Sequence, residues 1–323
     1  MLCIPNQNTD PYFNLATEEY ILKNLKENCF VLWRSKPSII IGKHQNALAE
    51  INLNFVQEQK IPVIRRLSGG GTVFHDLGNL NFSFIQNIKV NENLVDFKRY
   101  TKPIIEVLHN LGVDAKFEGR NDIMINGKKI SGNAEHVFKK RVLHHGTLLF
   151  SSEISNLSQA LKVNPLKYQD KGVKSVRSRV TNIIDHLEGK ITVMEFYNKI
   201  LNHITSSDTD AEIYELTNKD INQINQLVIE KYKSWEWNFG YSPKYNFEKS
   251  QPFSEGNINV QLLVEKGFIK DAKLTCNFLN ENVVTEIERI LKGVRHEPAS
   301  VRKELQRFDL NYYKIEQIST TFF

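Results

Sequence analysis

Cysteine is scarce in this chain. Cys3, Cys29 and Cys276 are odd in number, far apart and without a CxxC pair. That argues against a disulfide framework and a structural zinc site, and it fits a reducing cytoplasm. No apolar run approaches the roughly 20 residues that span a bilayer, so no membrane association is expected. Residues 1–6 lack a basic region followed by a long apolar stretch, so no signal peptide is expected. Charge of one sign is also lacking: the net charge is only +5, mild enough to suit an acidic protein partner but a weak case for nucleic acid. No GxxxxGK[ST] P-loop, no GxGxxG, no internal repeat and no low-complexity segment occurs.

What is present is an ordinary globular composition. The 323 residues are 41% hydrophobic and 24% charged, enough for two domains and a sizeable core. The feature that organises the chain is Arg65-Arg66-Leu67-Ser68-Gly69-Gly70-Gly71-Thr72-Val73-Phe74-His75-Asp76, set between two apolar, strand-like segments. Glycine reaches backbone angles closed to other residues and lets a ligand approach the main chain. Exposed backbone N–H groups can cradle phosphate oxygens, and two arginines add fixed positive charge suited to phosphate or carboxylate.

Along the chain, Asp10 and Pro11 read as the N-cap and first position of a helix that carries Leu15, Glu18, Glu19, Leu22 and Leu25 at helical spacing. Residues 30–33 and 38–42 read as strands joined by a turn at Pro37, and residues 50–59 as a short helix. A second helix over 96–111 is closed by Gly112. Asn126-Gly127 predicts a hairpin, with Ile130 toward the core and Lys129 and Ser131 on the opposite face. Residues 162–182 hold Lys162, Lys167, Lys171, Lys174, Arg177 and Arg179 and read as a long, basic, mobile loop of the kind used as a lid. Helices are expected at 193–203 and 220–231. The aromatic stretch 235–243 is expected to pack back on the main domain, and two strands and one or two helices to fill the remainder. Residues 248–323 hold eleven basic and eleven acidic side chains, so the whole +5 lies in residues 1–247. The predicted boundary separates a domain over 1–246 from a small one over 247–323.

Four stretches together resemble the lipoate–protein ligase A family: residues 65–76; Gly119-Arg120-Asn121-Asp122 with Lys129-Ile130-Ser131-Gly132-Asn133-Ala134; His144-His145-Gly146-Thr147-Leu148-Leu149; and Lys174-Ser175-Val176-Arg177-Ser178-Arg179-Val180. They occur in family order. The tail after residue 235 resembles that family's small C-terminal domain. The resemblance implies an α/β (α+β) catalytic domain, with mixed β-sheets flanked by helices, of the kind shared with biotin ligases and octanoyltransferases. It also implies two half-reactions. Lipoate and Mg-ATP give lipoyl-AMP and pyrophosphate. The acyl group then passes to a lysine on an apo lipoyl domain of a 2-oxoacid dehydrogenase complex or on the glycine-cleavage H protein. Monomer is the default expectation for the oligomeric state.

Such chemistry must bring a carboxylate and an α-phosphate together and absorb negative charge as pyrophosphate leaves. Lys129 matches the family's essential lysine, a point charge able to bridge both anions; its neighbour Lys128 reads as a solvated hairpin lysine. The resemblance places Arg66, Gly71, Thr72, Val73, Phe74, Asn121 and Asp122 at ATP and the adenylate. Asp122 is also the expected Mg²⁺ carboxylate, since that ion takes one or two carboxylates plus phosphates. Gly70, His75, Gly132, Ala134 and His145, with Lys129, are expected to line the lipoyl pocket. Lys174, Arg177 and Arg179 would fold over the adenylate and keep a hydrolysable mixed anhydride from water. Arg65 reads as a surface strand residue.

Two other readings stay open. One is an ATP-independent acyltransferase or amidotransferase on the same fold, which would need a cysteine nucleophile; none lies in the motifs. The other is a non-enzymatic lipoate or adenylate binder. A biotin ligase is disfavoured because its GRGRxxR-like loop is missing.

Overall fold

The computed structural model describes residues 1–88, 93–161, 167–176, 178–308 and 312–323. They form two compact units. Met1–Lys43, Lys60–Gln159 and Ser175–Ser234 make the first; His44–Gln59, Ala160–Lys174 and Trp235–Phe323 make the second. Among the described residues no helix is long and apolar enough to cross a membrane.

β1 (Leu2–Pro5) leads into α1 (Pro11–Asn24). Asp10 caps the helix as predicted: its side chain accepts the N–H groups of Tyr12 at 2.8 Å and Phe13 at 3.0 Å. The helix is not two-faced, however. Every residue from Phe13 to Leu22 is buried, Glu18 and Glu19 included. Burial alone would raise the Glu19 pKa. Bonds from Lys23 (2.5 Å), Lys231 (2.6 Å) and Tyr232 (2.7 Å) outweigh it and hold this carboxyl below the usual range.

β2 (Cys29–Arg34) and β3 (Ser38–Ile41) follow, and the turn at Pro37 sends them into different sheets. The helix expected at 50–59 is two short ones, α2 (Ala47–Glu50) and α3 (Leu53–Glu58), and both belong to the second unit. β4 (Val63–Arg65) and β5 (Val73–His75) flank the glycine stretch and pair with β3, β4 parallel and β5 antiparallel. Then come β6 (Asn79–Asn87), α4 (Phe97–Asn110), β7 (Lys116–Glu118), β8 (Asp122–Ile125), β9 (Lys128–Phe138) and β10 (Arg141–Leu149). α5 (Ile154–Ala160), β11 (Tyr168–Asp170), α6 (Val193–Ser206), β12 (Glu212–Ile213) and α7 (Asn218–Leu227) complete this stretch.

The main sheet has eight strands in the order β12-β1-β2-β6-β10-β9-β8-β7. Strand alternation gives it two different faces. Phe30, Leu32, Phe82, Phe84, Val142 and Leu148 enter a core with Ile104, Leu108, Phe196 and Ile200 of α4 and α6. Each such side chain stabilises the unit by about 1.5–3 kcal/mol. The residues one step out of phase stand on the other face, where the register sets Trp33 beside Asn81, Ser83 beside His145, and His145 beside Ala134. The consecutive histidines therefore part: His144 goes to the core side and His145 to the polar side.

In the second unit β13 (Tyr245–Phe253), β14 (Gly256–Glu265) and β15 (Phe268–Cys276) form an antiparallel sheet with β11. Ile258, Val260, Leu262 and Val264 alternate inward against α8 (Glu281–Leu291), α9 (Pro298–Leu305) and α10 (Tyr312–Thr320). β11 falls inside the segment expected to be loop; Tyr168 anchors it in this core. β13 and α10 were not anticipated either. Trp235 packs here against Phe268 at 5.5 Å, with the Arg295 guanidinium 4.7 Å over its ring. The mixed α/β fold class expected from the sequence is the one observed.

Replacing Asp10 with Ala removes the cap from two helix N–H groups. The first unit is expected to lose about 0.5–2 kcal/mol in urea unfolding; an unchanged midpoint would mean that burial alone fixes the start of α1.

Candidate active site

The glycine-rich turn is built around Arg66. Its Nε donates to Ser68 Oγ at 2.9 Å, Nη1 to the Ile40 carbonyl at 3.1 Å, and Nη2 to the carbonyls of Gly69 at 2.6 Å and Gly71 at 2.8 Å. Burial lowers its pKa to about 10, so it stays charged at neutral pH. In this structure Arg66 thus grips its own loop. Folding carbonyls back on one guanidinium demands a left-handed residue, and Gly70 has φ +87°. A Cβ at Gly70 would lie 3.0 Å from Arg66 Nη2 and 3.9 Å from Ala134 Cβ, so the turn rests on β9. Arg65 is no surface residue. It is fully buried and donates to the carbonyls of Gly42 (3.0 Å) and Lys43 (3.1 Å).

Lys129 comes from the predicted hairpin, in which Asn126 and Gly127 take φ of 49° and 70°. Strict alternation fails at one point. Met124 pairs with Lys129 and Ile123 with Ser131, so Ile130 is an extra residue, a β-bulge. The Lys129 backbone is held by the far end of the basic segment: its N–H donates to the Arg179 carbonyl at 2.8 Å, and its carbonyl accepts from Thr181 at 3.1 Å. Its Nζ lies 2.8 Å from Asp122 Oδ1, both side chains 26% exposed. A Cβ on Gly132 would come within 2.8 Å of that Nζ, so glycine leaves the lane in which the lysine lies. Lys128 is solvent-exposed, as expected.

The remaining predicted residues divide. The Thr72 N–H is taken by Ser175 Oγ at 2.9 Å, and a Cβ on Gly71 would meet the same oxygen at 3.1 Å. Ser175 therefore covers the part of the turn expected at the adenylate. Phe74 is buried and Val73 half-buried. Asn121 donates to the Asn133 carbonyl and accepts from Asn133 Nδ2 at 3.0 Å, which ties its backbone and amide into the β8–β9 join. His75 is buried with its ring edge-on to Trp33 at 5.6 Å, and neither ring nitrogen has a hydrogen-bond partner among the described residues. Burial, with the Arg66 charge adding to it, pushes its pKa down to about 3, so its ring is neutral. Lys174 belongs to the second unit, where its Nζ is 3.7 Å from Asp170. Arg179 is exposed, and Arg177 lies outside the described residues. Sequence reasoning missed Ser68, Glu18 and Trp33. Ser68 sits inside the motif and was there to be seen, whereas Glu18 gave no local sign. Among the described residues no group of three His, Cys, Asp or Glu side chains is placed to hold a metal.

Similarity to known proteins gives the class, a protein ligase with a catalytic domain and a C-terminal domain. Residues 10–205 match the lipoyl protein ligase A/B catalytic domain, and residues 242–323 match the bacterial lipoate protein ligase C-terminus. The chain is 45% identical to lipoate-protein ligase LplJ of Bacillus subtilis and 43% identical to lipoate–protein ligase 1 of Staphylococcus aureus, each over 97% of this chain and 96% of the relative. Among solved structures it is similar to lipoate-bound LipL1 of P. falciparum (TM-score 0.63, 26% identity, 99% of this chain and 98% of that one). It is also similar to an ATP-bound lipoate-protein ligase A (TM-score 0.63, 26% identity, 74% and 98%). The chain belongs to the lipoate–protein ligase family.

The depressed His75 pKa has a thermodynamic sign. Between pH 6.5 and about 3 the unfolded chain binds a proton at this ring that the folded protein refuses. Stability contributed here is therefore present above pH 6.5 and is lost as pH falls. Urea unfolding at pH 7 and pH 5 should differ by roughly 1–2 kcal/mol on this account. His75→Gln should flatten that difference, and an undiminished slope in the variant would show that His75 is not its source.

Proposed function

We propose that this protein is a lipoate–protein ligase that joins lipoate to a lysine in two steps. In the first, a lipoate carboxylate oxygen attacks the α-phosphorus of ATP; the bond to the β-phosphate oxygen breaks, leaving lipoyl-AMP and pyrophosphate. In the second, the acceptor lysine's amine attacks the acyl carbon and AMP departs with the bonding pair. The observation that carries this reading is Lys129, its backbone held on both sides and its ammonium lying over Gly132 beside Asp122. There it would bridge carboxylate and α-phosphate and offset the charge that grows as pyrophosphate leaves. Backbone groups of residues 71–74 would meet the nucleotide, with Arg66 holding them in place. Trp33, His75, Ala134 and His145 would form the slot for the acyl chain. Mg²⁺, when bound, would neutralise phosphate charge, with Asp122 as its protein ligand.

The acceptor would be an apo lipoyl domain of a 2-oxoacid dehydrogenase complex or the glycine-cleavage H protein. A similar archaeal structure, from Thermoplasma acidophilum, is of a bipartite lipoate protein ligase with its E2 lipoyl domain, which supports such a partner. We take residues 1–246 as catalytic and 247–323 as accessory, the chain as a monomer, and the compartment as the reducing cytoplasm, in keeping with three free cysteines. The transferase reading is disfavoured by those same cysteines. Burial raises the pKa of Cys3, and that of Cys29 to about 11, so neither is a ready thiolate.

Mass spectrometry of a purified apo lipoyl domain after incubation with the protein, ATP, Mg²⁺ and lipoate should show the mass of one lipoyl group on one lysine. No modification by well-folded protein would sink the ligase reading. Lys129→Ala should lower lipoate-dependent ATP–pyrophosphate exchange by on the order of 10²–10³-fold.

A further inference from the structure

The polar face of the main sheet holds a chain of hydrogen bonds that ends on Arg66. His145 Nδ1 lies 3.0 Å from both carboxylate oxygens of Glu18. An ionised carboxylate only accepts, so Nδ1 carries the ring proton and Nε2 is left as an acceptor. Ser68 Oγ, 2.6 Å from Nε2, therefore donates its proton there. That turns the lone pairs of the oxygen toward Arg66, whose Nε–H reaches it at 2.9 Å. At the other end Ser83 Oγ donates to Glu18 Oε1 at 2.5 Å, and Trp33 Nε1 donates to Ser83 at 3.4 Å. From both ends the donors point toward the Glu18 carboxylate, and hydrogen bonds in such chains polarise one another.

We propose that Glu18 is a positioning residue. Through His145 and Ser68 it fixes the direction of the Arg66 guanidinium, and so the shape of the Gly69–Gly71 turn on which ATP and lipoate dock. The inference deepens the ligase reading, and its effect on substrates rests on that reading. Glu18, His145 and Ser68 also have the order of a nucleophilic triad. The surroundings argue against that use. Ser68 is fully buried, and its oxygen already takes the Arg66 Nε–H, so the chain ends on a guanidinium rather than on a substrate carbonyl.

Three variants test the proposal in lipoate-dependent ATP–pyrophosphate exchange: Glu18→Gln, Ser68→Ala and the double variant. Each single change should raise the KM for ATP about tenfold or more, the size expected for losing one charge-assisted hydrogen bond, with a smaller change in kcat. Because both act through one chain, the double variant should lose no more than the worse single one. Losses that multiply would overturn the proposal. A readout independent of catalysis accompanies this. Ring ¹⁵N NMR should show His145 as the Nδ1–H tautomer in the unaltered protein and as a mixture in Glu18→Gln, with the Gly69, Gly70 and Gly71 amide resonances displaced. An unmoved tautomer or unmoved glycine amides would also overturn it, as would covalent labelling of Ser68 by a fluorophosphonate probe, which would make it a nucleophile. If the unaltered protein showed no exchange at all, the ligase reading would fail, while the NMR result would still decide on the positioning chain.

Discussion

A guanidinium cannot be buried without acceptors, and Arg66 finds most of its own in the turn that follows it. Much of the site's local structure follows from that requirement. The carbonyls of Gly69 and Gly71 must bend inward to reach one planar group, which forces positive φ at residue 70. The Thr72 N–H at the end of the same turn is met by Ser175. The fourth acceptor, Ile40, belongs to β3 and ties the turn to its three-stranded sheet. Removing one acceptor would leave a buried guanidinium N–H unpaired, a change of about 1.5–3 kcal/mol. The run of three glycines is thus first a consequence of where the arginine lies.

Features that depend on a few consecutive residues were legible in the sequence. Asp10-Pro11 starts a helix because a carboxylate can accept the N–H groups two and three residues on. Asn126-Gly127 makes a hairpin because both residues tolerate positive φ. The mixed α/β class and the candidacy of Lys129 came instead from the resemblance carried by the motifs and their order, and the glycine turn from its composition. His145, expected in the lipoyl pocket, stands on the polar face of the sheet by its register.

What was not legible depends on residues distant in sequence. Glu18 bonds to partners 65 and 127 positions away, so nothing near it distinguishes it from a solvated helix glutamate. Arg65 has the composition of a surface position and is buried because two carbonyls 23 and 22 residues earlier converge on it. The Pro37 turn could as well have joined paired strands; sheet membership is decided by β6 on one side and β4 and β5 on the other. The basic segment conceals β11 because a three-residue strand carries almost no periodicity, and only pairing with β13 defines it. The bulge at Ile130 matters most. Sequence alternation assigns faces one residue at a time, and an extra residue beside Lys129 changes that count at the place where the assignment has most consequence.

Under the proposed assignment, the groups that would hold the adenylate already have partners. Thr72 N–H is bonded to Ser175, and Lys129 Nζ to Asp122. Substrate binding is then an exchange of hydrogen bonds rather than a gain of new ones, and each exchange nets only about 1 kcal/mol. The two partners are not equivalent. Ser175 lies on the segment whose continuation, Arg179 to Thr181, holds the Lys129 backbone, so displacing it from the turn acts on the chain that fixes the lysine. Asp122, if Lys129 left it for the anions, would be a carboxylate beside phosphates, the kind of environment Mg²⁺ takes. One movement of the lysine would thus bridge the two reacting anions and create the cation site that screens them. Neither half of that arrangement needs to stand as an unpaired charge before the substrates arrive.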